Sequence, residues 1–337
     1  MKKQISISII LIMTIIAVSV LLWNRFGISE EDATPEFVLS YAENQNADHP
    51  STKGAVRFAE MVKERTNGRI LILIKDEGQM GTETEVLKQM KYGGIDFARV
   101  SISQLAGYAP ELNVLQMPYL YEDSEHMWRV LDGELGDAFL SNVSDQDFVG
   151  LSWYDAGSRS FYTAGRQIKT IEDVQGLRIR VQDSSQLMTD VITALGGVPV
   201  PMDYAKVYSA IETGEVDGAE NNWPSFESMR HYEVAKYFTL DEHTRVPEMQ
   251  LVSAHTWEKL SKEDQAIIIE CARESSLYER KLWNQQESKA KEAAIAGGTE
   301  VFEMSPEEKA RFREAMTEVY EKYCGNSMDI IERIIAY

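Results

Sequence analysis

Helical and strand patterns alternate along this chain from about Pro35, and that alternation limits the fold more than any other feature. Phe37-Val38-Leu39 reads as a strand, followed by a polar loop and a helix from about Pro50 to Thr66 that Asn67-Gly68 closes. Arg69 to Ile74, rich in Ile and Leu, is the next strand. Thr82-Glu83-Thr84-Glu85 has capping-box spacing before a helix that runs to Tyr92 and stops at Gly93-Gly94, and Ile95 to Val100 is a third strand. Strand-helix-strand repetition of this kind implies a parallel sheet in an α/β protein. The rhythm resumes after a middle section: Leu151 to Tyr154 and Leu177 to Val181 read as strands, and Ser185 to Leu195 and about Ala205 to Thr213 as helices. Val216 to Ala219 is the last strand of this second unit. Two α/β units in one chain predict two lobes with a cleft between them.

The C-terminal third reads as helical. Ser261 opens a pattern with no Pro or Gly as far as Ala296, which would be about 50 Å long at 1.5 Å per residue and would brace both lobes. Ser305-Pro306-Glu307-Glu308 begins the final helical stretch. One lobe is expected over 35–160 with 246–286 and the other over 161–245 with 287–337. Crossings are expected near 156–163, near 244–247 and within the long helix.

At the N-terminus, Lys2 and Lys3 precede an uncharged apolar run from Ile5 to Trp23, close to the roughly 20 residues that cross a bilayer. Residues 1–32 are therefore expected to be an export signal or an uncleaved anchor with the lysines on the cytoplasmic side. Either places the globular part outside the cytoplasm. The formal charge of -20 repels nucleic acid and anionic lipid. A small anionic ligand is still possible, because charges are screened beyond about 8 Å at physiological salt and a few arginines set the potential inside a cleft. The two cysteines, Cys271 and Cys324, form no metal or redox motif, and the five histidines lack metal-ligand spacing. Neither a nucleophile elbow nor a phosphate loop is present, so no catalysis, cofactor or metal is expected.

Two stretches carry the candidate chemistry. In Gly176-Leu177-Arg178-Ile179-Arg180-Val181, apolar and polar residues alternate, so one face enters a core and the other carries two arginines. Ligands of open α/β sheets sit beyond the carboxyl ends of strands, which favours Arg180, whose planar fork can grip a carboxylate. A purely structural ion pair is the alternative role. The second stretch, Val216 to Pro224, delivers Asn221 and Trp223 at another strand exit.

Gly165-Arg166, the Ile171 to Gly176 turn, Leu177 to Val181, Pro199-Val200-Pro201-Met202 and Val216 to Asn221 fall in an order and spacing that resembles the DctP-like substrate-binding proteins of TRAP transporters. The resemblance covers nearly the whole exported chain. It implies a two-lobed type II periplasmic-binding-protein fold that closes on an organic acid and delivers it to an ion-driven membrane permease. It also implies that Arg180 binds the ligand carboxylate, helped by Arg166 and Asn221. Asn44 to Pro50, Ser152 to Arg159, Ala219 to Ser225 and His231 to Lys236 resemble the members that bind hexuronates such as glucuronate or galacturonate. A four-carbon dicarboxylate or sialic acid as ligand, or service to a sensor receptor, are the alternatives, and a monomer is expected.

A hexuronate offers one carboxylate and several hydroxyls, which suits Arg180 with Glu83, Gln45, His49 and Asn221. An anionic Glu83 would repel the second carboxylate of a diacid, although its place in a first helical turn would by itself favour an acid. His49 before Pro50 could instead end a loop, and Gln45 could be an ordinary loop residue. Trp223 offers a flat face to the C–H side of a sugar or a place in a core. Tyr154 and Asp155 are further candidates. Arg159 and Arg99 either reach the ligand or brace strand edges.

Overall fold

The computed structural model describes residues 34–337, so the expected signal or anchor at 1–32 lies outside the described residues. Among the described residues no helix is long and apolar enough to cross a membrane. The strands are β1 (Phe37–Ala42), β2 (Ile70–Lys75), β3 (Phe97–Ser101), β4 (Phe148–Tyr154), β5 (Ser158–Thr163) and β6 (Arg178–Gln182), followed by β7 (Val198–Met202), β8 (Gly218–Asn221), β9 (Tyr237–Arg245), β10 (Glu248–Ser253) and β11 (Glu300–Glu303). They form two sheets, in the orders β2-β1-β3-β10-β4 and β11-β9-β5-β8-β6-β7.

The expected βαβ units are present: β1 pairs with β2 and β3 in parallel, and β6 pairs with β7 and β8 in parallel. Neither sheet is wholly parallel, which corrects the expectation. β10 runs antiparallel to β3 and β4, and β5 runs antiparallel to β8 and β9. The reason is topological. β5 and β10 enter their sheets directly from the other lobe and have no crossover helix to turn them round.

The chain passes between sheets at the Asp155–Gly157 link and at Val246-Pro247. The division expected between 160 and 161 therefore moves back, because β5 belongs entirely to the second sheet. Gly157 makes the first link possible: its φ is +59°, and a Cβ there would lie 2.9 Å from Trp283 Nε1 and from Glu287 Oε1.

Local chemistry sets the helix starts. Thr82 and Glu85 form a reciprocal capping box at the Glu83–Lys91 helix, and Ser261 caps the Lys262–Ala296 helix through Asp264 N. This long helix carries Ile268, Cys271 and Ala272 into the apolar core of the first lobe, and Ala290 and Ala294 into that of the second. It therefore belongs to both lobes. The final stretch is three helices, Pro306–Ala315, Thr317–Cys324 and Met328–Ile335. The last returns to the first lobe, where His126 Nε2 lies 2.8 Å from Ile334 O and Arg129 Nε donates to Tyr337 O. The 287–337 segment is thus shared between lobes. Cys271 and Cys324 are free and buried in different cores.

Gly54, on the Pro50–Arg65 helix, lets the long helix approach: a Cβ there would sit 2.9 Å from Glu279 Cβ and from Tyr154 Cε2. Gly54→Ala is expected to lower the unfolding free energy by about 1–3 kcal/mol in urea titrations, because well-packed surroundings must shift.

Candidate ligand-binding site

A cavity of about 280 Å³ lies between the sheets, with a wall contributed by both. From the first lobe come Gln45, Glu83, Arg99, Gln104 and Glu248; from the second come Arg159, Arg180, Gln182, Tyr204 and Asn221. Arg180 and Asn221 sit toward the carboxyl ends of β6 and β8, the position expected for ligand contacts in an open sheet.

The two walls differ in charge. Arg180 is 2% exposed, and its Nε and Nη2 both donate to Met202 O, at 2.9 and 2.7 Å. Both bonds go to one neutral carbonyl, and among the described residues no carboxylate pairs with this guanidinium. Burial pulls its pKa below the ordinary arginine value. Arg159 is different. Its Nε and Nη2 bond the Glu220 carboxylate, Nη2 also donates to Glu220 O at 2.8 Å, and Nη1 donates to Asn221 Oδ1 at 2.9 Å. Asn221 Oδ1 also accepts from Asn222 N, so the Nδ2 group remains for a ligand.

Behind Glu220, His243 Nδ1 lies 2.8 Å from Asp241 Oδ2 and Nε2 lies 3.5 Å from Glu220 Oε2. Burial by itself would lower the His243 pKa, but Asp241 and Glu220 outweigh it and raise it to about 9. Burial likewise opposes ionisation of Glu220, and Arg159 and His243 overcome it, holding the carboxyl at about 2.

The first-lobe wall is rich in carboxylates. Arg99 bonds Glu43 and Asn44, and its Nη1 donates to Glu83 Oε1 at 3.1 Å and Glu248 Oε1 at 2.9 Å. One cation thus faces three acids. Glu83 Oε1 also accepts from Asn44 Nδ2 and Ser101 N, while Oε2 has no partner among the described residues. Burial, then the neighbouring Glu248, push the Glu83 carboxyl up to about 8, and burial raises Glu248. Gln45 Oε1, Gln182 Oε1, Glu248 Oε2 and Tyr204 OH are buried without a protein partner. Such groups call for hydrogen bonds from whatever fills the cavity.

The structure therefore brings together Arg180, Asn221, Arg159, Glu83, Gln45 and Arg99. It does not bring the other five into the wall. Arg166 is exposed and donates to Asp173 O at 2.8 Å. Trp223 stacks on Phe238 with ring centroids 3.7 Å apart, in the apolar core. His49 caps the Pro50–Arg65 helix through Nδ1 and packs its ring edge-on to Trp283. Tyr154 OH bonds Ser275 Oγ, and Asp155 is held by Gly157 N and Trp128 Nε1 at the link. Helix capping, core stacking and link bracing hold the last four, with His49 Nε2 buried without a protein partner among the described residues.

Sequence reasoning missed Asn44, Gln104, Gln182, Asp183, Tyr204 and Glu248. The strand-exit rule that selected Arg180 extends naturally to Gln182 and Asp183, two and three residues further along. Glu248 carries no such local signal, since β10 reaches the site only by crossing from the other lobe.

Two α/β lobes enclosing a polar cavity, with an arginine that lacks a carboxylate partner on one wall and carboxyl groups on the other, have the architecture of a solute-binding protein. The chain belongs to the bacterial extracellular solute-binding protein family 7, DctP, whose model matches residues 41–326. It is 34% identical over 275 residues to a solute-binding protein of Chromohalobacter salexigens, covering 82% of this chain and 81% of that protein. Among solved structures, a TRAP periplasmic solute binding protein from Bradyrhizobium sp. BTAi1 in complex with galacturonate is 37% identical with a TM-score of 0.86, covering 89% of this chain and 99% of that one. A TRAP periplasmic solute binding protein from Pseudomonas putida F1 with bound D-glucuronate is 34% identical, also with a TM-score of 0.86, covering 89% and 97%. The family and the two-lobed fold expected from the sequence are shown.

The raised pKa of His243 has a consequence for stability. A folded-state value near 9 against 6.5 gives a contribution that is complete below pH 6.5 and is lost as the pH rises through 9. The difference in urea unfolding free energy between wild type and His243→Asn is expected to shrink across that interval.

Proposed function

We propose that this protein captures a hexuronate, such as glucuronate or galacturonate, and presents it in a closed two-lobed form to the membrane subunits of a TRAP transporter. The observation that carries the reading is Arg180, a buried cation without a carboxylate partner, set across the cavity from the acceptors Glu83, Glu248 and Gln45. The ligand carboxylate completes Arg180 with help from Asn221, and the ring hydroxyls donate to the first-lobe acceptors. Arg99 has spent its donors on Glu43, Asn44, Glu83 and Glu248, so it orients acceptors and leaves the ligand acid to Arg180.

On the first-lobe wall Arg99 is already shared among Glu43, Glu83 and Glu248, so a second ligand carboxylate would find no free cation there, which argues against a four-carbon diacid. The solved structures with bound glucuronate and galacturonate support the same ligand class. Because both walls contact one small molecule, ligand binding favours the closed arrangement. Export across the cytoplasmic membrane accords with the family and with the apolar run from Ile5 to Trp23.

A thermal-shift screen with glucuronate, galacturonate, sialic acid and succinate tests the ligand class. At a hundredfold excess over Kd, a bound uronate stabilises by about 2.7 kcal/mol and raises Tm by several degrees. Stabilisation by succinate with none from the uronates would overturn the reading. Arg180→Ala is expected to weaken uronate binding more than about tenfold in calorimetric titrations, since it removes a charge-assisted bond and leaves the acid unpaired.

A further inference from the structure

The edge of the cavity carries a set of bonds that the ligand-binding role does not use. Thr84 lies in the first turn of the Glu83–Lys91 helix and Gln104 in the short Ile102–Leu105 helix after β3, both in the first lobe. Asp183 and Ser184 follow β6, the strand that carries Arg180. Gln104 Nε2 donates to Asp183 Oδ1 at 2.8 Å, Thr84 Oγ1 donates to Asp183 Oδ2 at 3.3 Å, and Thr84 Oγ1 lies 3.0 Å from Ser184 Oγ. Other polar contacts between the lobes, such as Tyr119 N to His243 O and Thr244 Oγ1 to Gln116 O, lie beside the Val246-Pro247 link.

We propose that the Gln104–Asp183 bond, flanked by Thr84 and Ser184, is a latch that selects ligand length and sets the release rate. Asp183 stands three residues beyond Arg180 on one strand exit, so a ligand that docks its acid on Arg180 and its hydroxyls on the first lobe draws Asp183 toward Gln104. Gln104 and Asp183 themselves line a cavity of about 280 Å³, so the closed edge confines what lies inside. A single sugar ring fits within it. A second ring projecting through this edge would pass between the latch partners and hold them apart, losing the bonds that slow dissociation. The latch acts after encounter, so it changes the dissociation rate much more than the association rate.

This inference rests on the sugar-acid reading for the identity of the ligand, and a double-mutant cycle separates the two. Stopped-flow fluorescence on the full chain would compare wild type, Gln104→Ala, Asp183→Ala and the double variant with galacturonate, and titrations would compare galacturonate with digalacturonate. Each single change is expected to raise the dissociation rate about tenfold, the effect of losing one hydrogen bond to a charged group, with the association rate within about threefold. The double variant should release ligand no faster than Asp183→Ala, because that change already removes the Gln104 bond along with the Thr84 one. Additive losses would show independent ligand contacts and overturn the latch, as would an unchanged dissociation rate for Asp183→Ala. The ratio of the digalacturonate to the galacturonate Kd should fall at least about tenfold in the double variant; an unchanged ratio overturns length selection. Asp183→Asn, which keeps an acceptor for Gln104, should recover most of the slow release, and circular dichroism melts confirm that every variant folds. If the wild type binds a different acid, the sugar reading fails, and the same cycle run with that acid still decides the latch by coupling or additivity between positions 104 and 183.

Discussion

Burying the Arg180 guanidinium without a carboxylate beside it is the constraint around which the second lobe is arranged. A lone buried charge costs several kcal/mol unless fixed dipoles or an ion answer it. Here the answer is partial: Met202 O takes two of its donors, and Glu220, committed to Arg159 and His243, contributes only at longer range. The deficit left over is electrostatic and local, and an organic acid can fill it. An overall acidic protein can thus hold an anion, because the field inside a small cavity is set by the nearest groups.

The opposite wall has the reverse imbalance. Arg99 is shared among Glu43, Glu83 and Glu248, which keeps acceptors in excess of cations and makes neutral donors welcome. In the reading proposed above, the two lobes are complementary to different ends of one molecule. Neither wall alone would distinguish a sugar acid from a simple anion or from a neutral polyol, and discrimination arises only when both surround the ligand.

Much of this was legible in the sequence where the signal is local. The capping box at Thr82, the alternation around Arg180 and the uninterrupted helix after Ser261 correspond to observed features within a residue or two. The antiparallel strands β5, β9 and β10 were not read, because their pairing depends on the chain crossing between lobes and no short pattern encodes that. The site shows the same division. Arg180 and Asn221 follow from strand exits, whereas Glu248 arrives from a remote segment. Trp223 and Tyr154 looked suited to a ligand but are held by Phe238 and Ser275, since an aromatic or phenolic side chain satisfies a core as readily as a sugar.

The interleaved path of the backbone has an evolutionary consequence. β10 completes the sheet of the first lobe only after the chain has built most of the second, and the Met328–Ile335 helix returns to the first lobe at the very end. No contiguous gene fragment therefore encodes either half. A single crossover therefore cannot join the half that carries Arg180 to a new partner half in place of the one that carries Glu83 and Glu248.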